Sequence, residues 1–251
     1  MPQVRLTPHV AQVGGGIYGI SHEIDCNVYL LSDGDDAALV DAGAGLDPER
    51  IVANVRQAGT RRLRYILLTH AHADHACGAG AIQRELGGEV VAAEPDATLV
   101  ERGDERALGL DAAKRSGAYP PEYRYAHATV DRRVVDGQTL PLGRFRVQAL
   151  VLPSHSAGST CYLVDTGAEG GRLLFTGDVV FVGGLVAVIN VPGCDLGRYR
   201  ENIRRLHGLG VDALFPGHLL WRLADAQRHL DAAVTAFSMS RMPKNLVSFT
   251  V

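Results

Sequence analysis

The tightest constraint on this 251-residue chain is the run Thr69-His70-Ala71-His72-Ala73-Asp74-His75, which places four metal-capable side chains within six residues. It directly follows Tyr65-Ile66-Leu67-Leu68, an unalternated apolar run of the kind shown by a strand buried on both faces. His70, His72 and Asp74 lie at i, i+2 and i+4, which is strand or loop spacing rather than one face of a helix. Two imidazoles and a carboxylate suit zinc, and also manganese or iron. The plainer alternative, a solvated polar loop, needs four matches to scarce residue types to coincide. Three isolated positions repeat the arrangement. His155 follows Ala149-Leu150-Val151-Leu152-Pro153-Ser154, Asp178 follows Leu173-Leu174-Phe175-Thr176-Gly177, and His218 follows Ala213-Leu214-Phe215-Pro216-Gly217. Each sits after a strand-like run and beside glycine or proline. Singly, each reads equally well as a core histidine, a turn aspartate or a helix cap. Together with the run they form a candidate ligand set.

The surrounding pattern is that of an α/β chain. Strand-like segments at Cys26–Leu31, Ala37–Val40, Tyr65–Leu68 and Glu89–Ala93 alternate with helix-like segments at Pro48–Ala58 and Gly80–Leu86. Residues 95–133 break the rhythm, with helix-like Ala97–Arg102 and Glu105–Arg115 followed by a tyrosine-rich stretch, and read as a cap-like insertion on one domain spanning 1–251. Strands return at Phe145–Leu150, Thr160–Val164, Arg172–Phe175 and Ala213–Phe215, with helices expected over Leu196–Leu209 and Leu223–Phe237.

Composition removes several classes. A net charge of −3 leaves no basic footprint, so nucleic acid is not an expected partner. No stretch approaches the roughly 20 apolar residues of a membrane span, and no apolar run of signal-peptide length follows Met1-Pro2-Gln3-Val4-Arg5. A cytoplasmic protein with no membrane partner is therefore expected. Cys26, Cys77, Cys161 and Cys194 are far apart with no C-x-x-C pair, which excludes finger-type structural zinc and fits free thiols. Cys77, near the histidine run, reads as a packing residue.

This set of residues resembles the metallo-β-lactamase-fold hydrolases: the His-x-His-x-Asp-His run at 70–75, then His155, Asp178 and His218, and the early Asp41 in Leu39-Val40-Asp41-Ala42-Gly43. The resemblance implies an α/β (α+β) four-layer αββα sandwich. It implies that His70, His72 and His155 hold one divalent ion, that Asp74, His75 and His218 hold a second, and that Asp178 bridges both. Asp41 would hydrogen-bond behind the ligand loop, with a simple turn residue as the alternative. Two divalent ions, zinc foremost and manganese or iron otherwise, would share and acidify one water whose hydroxide attacks an acyl or phosphoryl centre. Asp74 would accept or relay a proton.

Departures from named branches narrow the expectation. Asp178 stands where β-lactamases of this fold carry Cys or Ser. Phe181 stands where quorum-quenching lactonases carry a tyrosine. The run Gly177–Gly184 is similar to the glyoxalase II branch, which hydrolyses hydroxyacyl-glutathione thioesters, yet Leu185–Asn190 is apolar where that branch grips glutathione. The expected activity is thus hydrolysis of a small-molecule thioester, with lactone hydrolysis as the alternative. β-Lactam hydrolysis, a mononuclear iron persulfide dioxygenase and a non-catalytic metal-binding module stand behind these. Phe181, Leu185, Tyr119 and Tyr123 are the candidate pocket residues. The apolar 185–190 run reads alternatively as a buried strand, and the 95–133 insertion as a lid or as a homodimer contact.

Overall fold

The computed structural model describes residues 3–239 and 242–246. Seven strands form the first sheet in chain order: β1 (Val4–Arg5), β2 (Val10–Gly14), β3 (Val28–Asp33), β4 (Asp36–Val40), β5 (Arg62–Leu67), β6 (Glu89–Ala93) and β7 (Arg132–Val134). β1 to β4 pair antiparallel and β4 to β7 parallel. The second sheet comprises β8 (Thr139–Leu142), β9 (Phe145–Val151), β10 (Thr160–Asp165), β11 (Arg172–Gly177) and β12 (Ala213–Pro216). Its order is β12-β11-β10-β9-β8, antiparallel except for the parallel β11–β12 pair. Among the described residues seven α-helices accompany the sheets: α1 (Pro48–Gln57), α2 (Ala73–Ala76), α3 (Ala79–Leu86), α4 (Asp96–Arg102), α5 (Leu110–Arg115), α6 (Leu196–Asn202) and α7 (Gln227–Ser238).

Period-2 side-chain direction sorts the core into three layers. Tyr29 and Leu31 of β3, Tyr65 and Leu67 of β5, and Tyr162, Phe175 and Phe215 of the second sheet meet between the sheets. The alternate residues Leu30, Leu39 and Ile66 face outward, onto Ile51 and Val55 of α1 and Ile82 of α3. On the far side Cys161, Leu174 and Leu214 pack against Tyr199 of α6 and Leu230 and Phe237 of α7. Both sheets are thus covered on both faces, which is why their strands read as near-continuous apolar runs and why the layers stack α-β-β-α.

The differences from the expected elements have local causes. β2 is buried throughout but carries Gln12, whose amide is satisfied by Asn27 and Gly14, so the apolar signal is interrupted. The helix expected over Glu105–Arg115 starts only at Leu110, because Gly109 takes φ +71° and packs against Val191, where a Cβ would sit at 2.7 Å. α6 gives way after Asn202 to a 3-10 turn, Ile203–Leu206. The C-terminal helix starts at Gln227 rather than Leu223, since Arg222 bridges Leu214 and Asp225 has φ +50°. Leu185–Asn190 forms no strand: Val186 makes one isolated bridge to Asn245. Among the described residues no helix is long and apolar enough to cross a membrane.

Candidate metal centre

The candidate donors all leave the carboxyl ends of strands. β4 and β5 run parallel in one sheet, and β9, β11 and β12 share a direction in the other. Asp41 follows β4, His70 follows β5, His155 follows β9, Asp178 follows β11 and His218 follows β12. His70 precedes α2 in the loop after β5 and His72 lies on extended backbone, whereas Asp74 and His75 sit on the one-turn helix α2. The run therefore uses loop spacing for its first half and helix geometry for its second.

Two groups of nitrogen and oxygen atoms result. In the first, His70 Nε2 lies 3.0 Å and His155 Nε2 2.9 Å from His72 Nδ1. In the second, His218 Nε2 lies 3.1 Å from Asp74 Oδ2 and 3.2 Å from His75 Nε2. Asp178 reaches both: Oδ1 is 3.4 Å from His75 Nε2, and Oδ2 is 3.4 Å from His218 Nε2 and 3.7 Å from His155 Nε2. The sets His70/His72/His155, Asp74/His75/His218 and His70/His75/Asp178 each bring their donor atoms within 4.8 Å of one another.

The outward ring nitrogens of His70, His75 and His155 are already engaged. His155 Nδ1 donates to the Ala187 carbonyl at 2.8 Å. His75 Nδ1 donates to Asp41 Oδ2 at 2.8 Å. Thr69 Oγ1 donates to Asp41 and accepts from His70 Nδ1 at 3.0 Å. One carboxylate, on a residue with φ +61°, thus fixes a ring in each group. This turns the remaining ring nitrogens toward one another, and Asp178 Oδ1 is buried with no hydrogen-bond partner. Converging imidazole nitrogens and an orphaned carboxylate oxygen are unfavourable unless a cation sits among them, so the donor set fits divalent metal.

Electrostatics divides the two groups. Burial, then neighbouring imidazoles, holds His70 well below the usual histidine range, and burial brings His72 down to about 3. Burial would also depress His75, but Asp74, Asp41 and Asp178 outweigh it and hold this imidazole up at about 9. Asp178 and Asp74 similarly raise His218 against its burial. A raised histidine stabilises the metal-free fold below its unfolded value of about 6.5, and that contribution is lost as pH rises through about 9. Metal must displace these protons, so its affinity rises over the same window. The expected result is opposite slopes between pH 6.5 and 9: thermal stability falls with pH for the chelated protein and does not for the metal-loaded one. Parallel slopes in differential scanning fluorimetry contradict this assignment.

A cavity of about 350 Å3 opens over the donors. His72, Asp74, His155, Asp178 and His218 line it, together with Tyr119. Its remaining walls include Leu108, Leu110 and Ala113 from the 95–133 stretch, and Ala187, Ile189 and Val191 from the segment after Asp178. The Tyr119 hydroxyl donates to Asp74 Oδ1 at 3.0 Å, leaving Oδ2 turned to His218. Tyr119→Phe is expected to weaken metal binding about tenfold through this lost support, measured by competition with a chromogenic chelator.

Three of the four expected pocket residues lie elsewhere. Phe181 is fully buried, its ring centroid 6.5 Å from that of His218. Backbone bonds between Phe181 and Leu185 and between Gly184 and Phe181 close a tight turn there. Leu185, on the same turn, does not reach the cavity, and its neighbours Ala187 and Ile189 do. Tyr123 is buried beneath Tyr119 with its hydroxyl on the Ala44 carbonyl. Asp96 went unread in the sequence, yet it is 1% exposed and accepts from Ala71 N, Ser156 Oγ and Gly158 N, tying the His70–His72 loop to the His155 loop. Its one sequence signal is a lone aspartate after Glu94-Pro95, which reads as an ordinary helix start. Gly217 is a close-approach position: a Cβ there would lie 2.5 Å from Asp178 Oδ1 and 2.6 Å from His75 Cε1.

A sequence model described as the metallo-beta-lactamase superfamily matches residues 23–218. The atrochrysone carboxyl ACP thioesterase of Aspergillus fumigatus is 28% identical over 220 residues, 87% of this chain and 58% of that protein. The lactamase-like protein nscB of Neosartorya fischeri is 31% identical over 85% of this chain and 54% of its own length. The chain thus spans little more than half of these curated relatives. Among solved structures, BJP-1, a subclass B3 metallo-β-lactamase of Bradyrhizobium japonicum, superposes with a TM-score of 0.72 at 22% identity, covering 96% of this chain and 92% of that one. A metallo-β-lactamase from Cronobacter sakazakii gives 0.71 at 22% identity, covering 96% and 97%. At such identities the likeness is one of fold.

Proposed function

The chain belongs to the metallo-β-lactamase superfamily, and within it we propose a dinuclear metal-dependent hydrolase that cleaves a small-molecule thioester. The observation that carries this reading is the cavity set directly over the two donor groups and reached by Asp178 from between them. The thioester bond is favoured because a relative spanning 87% of the chain is named an acyl carrier protein thioesterase. That name supports the thioester class anticipated from the sequence without the glutathione specificity of the glyoxalase II branch.

His70, His72 and His155 would hold one ion, Asp74, His75 and His218 the other, with Asp178 shared. Zinc best suits this nitrogen-rich set. When bound, such ions supply an acidified water and a Lewis acid for the acyl oxygen. The chain's own groups do the rest. Asp41 and Thr69 orient His75 and His70. Asp74 Oδ1, facing Tyr119 across the cavity wall, is placed to accept a proton and pass it to the departing thiolate. The apolar walls exclude bulk water from the reacting carbonyl. The 95–133 stretch acts as a cap, since Leu108, Leu110, Ala113 and Tyr119 come from it.

The test is a panel of thioesters, lactones, β-lactams and phosphodiesters assayed on protein of measured metal content. Thioesters are expected to give the highest kcat/KM, with two metals per chain. Full thioesterase turnover by a verified metal-free preparation, or lactones preferred by tenfold, would overturn the reading.

A further inference from the structure

The two sides of a thioester compete for any pocket beside the reacting carbon, and the wall chemistry here discriminates between them. Among the described residues lining the cavity there is no lysine or arginine. Apart from the donor set, the single polar side chain is Tyr119, whose hydroxyl proton is already given to Asp74. A thiol arm built of amides, or one carrying carboxylates, would find neither hydrogen-bond partners nor a countercharge along these walls. An apolar group loses nothing there. The two facing walls are continuous, because Gly109 at φ +71° lies flat against Val191 with no room for a Cβ. A volume of about 350 Å3 holds about a dozen non-hydrogen atoms, at the roughly 30 Å3 that one water-sized group occupies in a liquid.

We propose that this cavity is the acyl pocket, that it takes an uncharged, apolar acyl group of about a dozen non-hydrogen atoms, and that Leu110, Ala113 and Ile189 determine this specificity. The proposal rests on the thioesterase reading for its reaction, but its pocket chemistry stands independently. The thiol side of the substrate leaves through the open mouth, where its polarity is met by water. Each methylene that enters such a wall from water adds about fourfold in binding. Selectivity therefore grows with acyl length until the cavity is full, and a terminal carboxylate at the same length reverses it.

The experiment uses acetyl, hexanoyl, decanoyl and decanedioyl monothioesters of one thiol, N-acetylcysteamine, with the metal-loaded full chain. The decanoyl thioester is expected to exceed the acetyl one at least 100-fold in kcat/KM, and to exceed its equally long ω-carboxylate at least 100-fold. In Ala113→Trp, which fills the cavity, the decanoyl-to-acetyl ratio is expected to fall at least tenfold. Calorimetry with n-decanol, a neutral probe that needs no turnover, is expected to give one site per chain in the unsubstituted protein and none in Ala113→Trp of equal melting temperature. Rates flat within threefold from acetyl to decanoyl, or the ω-carboxylate matching decanoyl, overturn the proposal while leaving thioesterase activity standing. Decanol bound at the expected site with no thioester cleaved upholds the pocket and overturns the thioesterase reading instead.

Discussion

His72→Ala and Asp178→Ala are expected to lose hydrolytic activity and metal together. His72 Nδ1 is the point on which two other imidazoles converge, at 3.0 and 2.9 Å. Without it the first group keeps two nitrogens and only the carboxylate it shares with the second group, so its hold on an ion weakens sharply. The side chain lines the cavity, so its loss removes little packing. Elemental analysis should show at most one ion per chain for His72→Ala. Asp178 stands within 3.7 Å of donors from both groups, so Asp178→Ala should lower occupancy of both. In each case kcat/KM is expected to fall about 1000-fold or more, equivalent to about 4 kcal/mol of transition-state stabilisation. Comparing melting temperatures of chelated variant and chelated parent separates a lost ligand from a lost fold. Either variant retaining parental turnover, or both ions, would refute the assignment of these residues.

These effects concern residues that could be picked out from the chain alone, for a physical reason. A strand buried on both faces is apolar nearly throughout, so the first ionisable residue beyond its end stands out, as at His70, His155, Asp178 and His218. The α/β class was legible from the same runs, whereas the four-layer sandwich was an expectation of the family resemblance. Residues after the turns were not legible. Phe181 is fully buried beside His218 and does not line the cavity, on a turn closed by backbone bonds from Phe181 to Leu185, and turn geometry is decided by tertiary contacts. Tyr119 and Tyr123 are four apart in one loop, yet only Tyr119 reaches the cavity, since Tyr123 is drawn to the Ala44 carbonyl. Gly109 was visible as a glycine in a helical pattern, but its reason, contact with Val191 from a distant segment, was not. Local pattern thus locates where chemistry leaves the sheets, whereas long-range packing decides which loop residues face it.

Asp96 is the sharpest case of that second kind, and its removal carries the second large expected effect. Its carboxylate is buried with no cationic partner among its hydrogen bonds. Burial raises its pKa, against the opposing pull of Ser156, Ala71 and Gly158. Oδ2 accepts from Ala71 N and Ser156 Oγ at 2.9 and 2.8 Å, and Oδ1 accepts from Gly158 N. Asp96→Ala strands two backbone N–H groups and leaves a void, at about 1–3 kcal/mol for each unsatisfied group. A loss of about 3 kcal/mol or more is therefore expected, or about 6–12 °C in melting temperature for a chain of this size. Asp96→Asn keeps the shape but supplies one acceptor oxygen where two are used, so its NH2 must face a donor. It should recover the volume and not the full stability. Because the carboxylate joins the Ala71 loop to the Ser156 loop, both variants should also loosen the His72–His155 contact and weaken the first metal site more than the second. Chelator titration that shows both sites weakened equally, or an Asn variant as stable as the parent, would show that Asp96 does not hold the two ligand loops together.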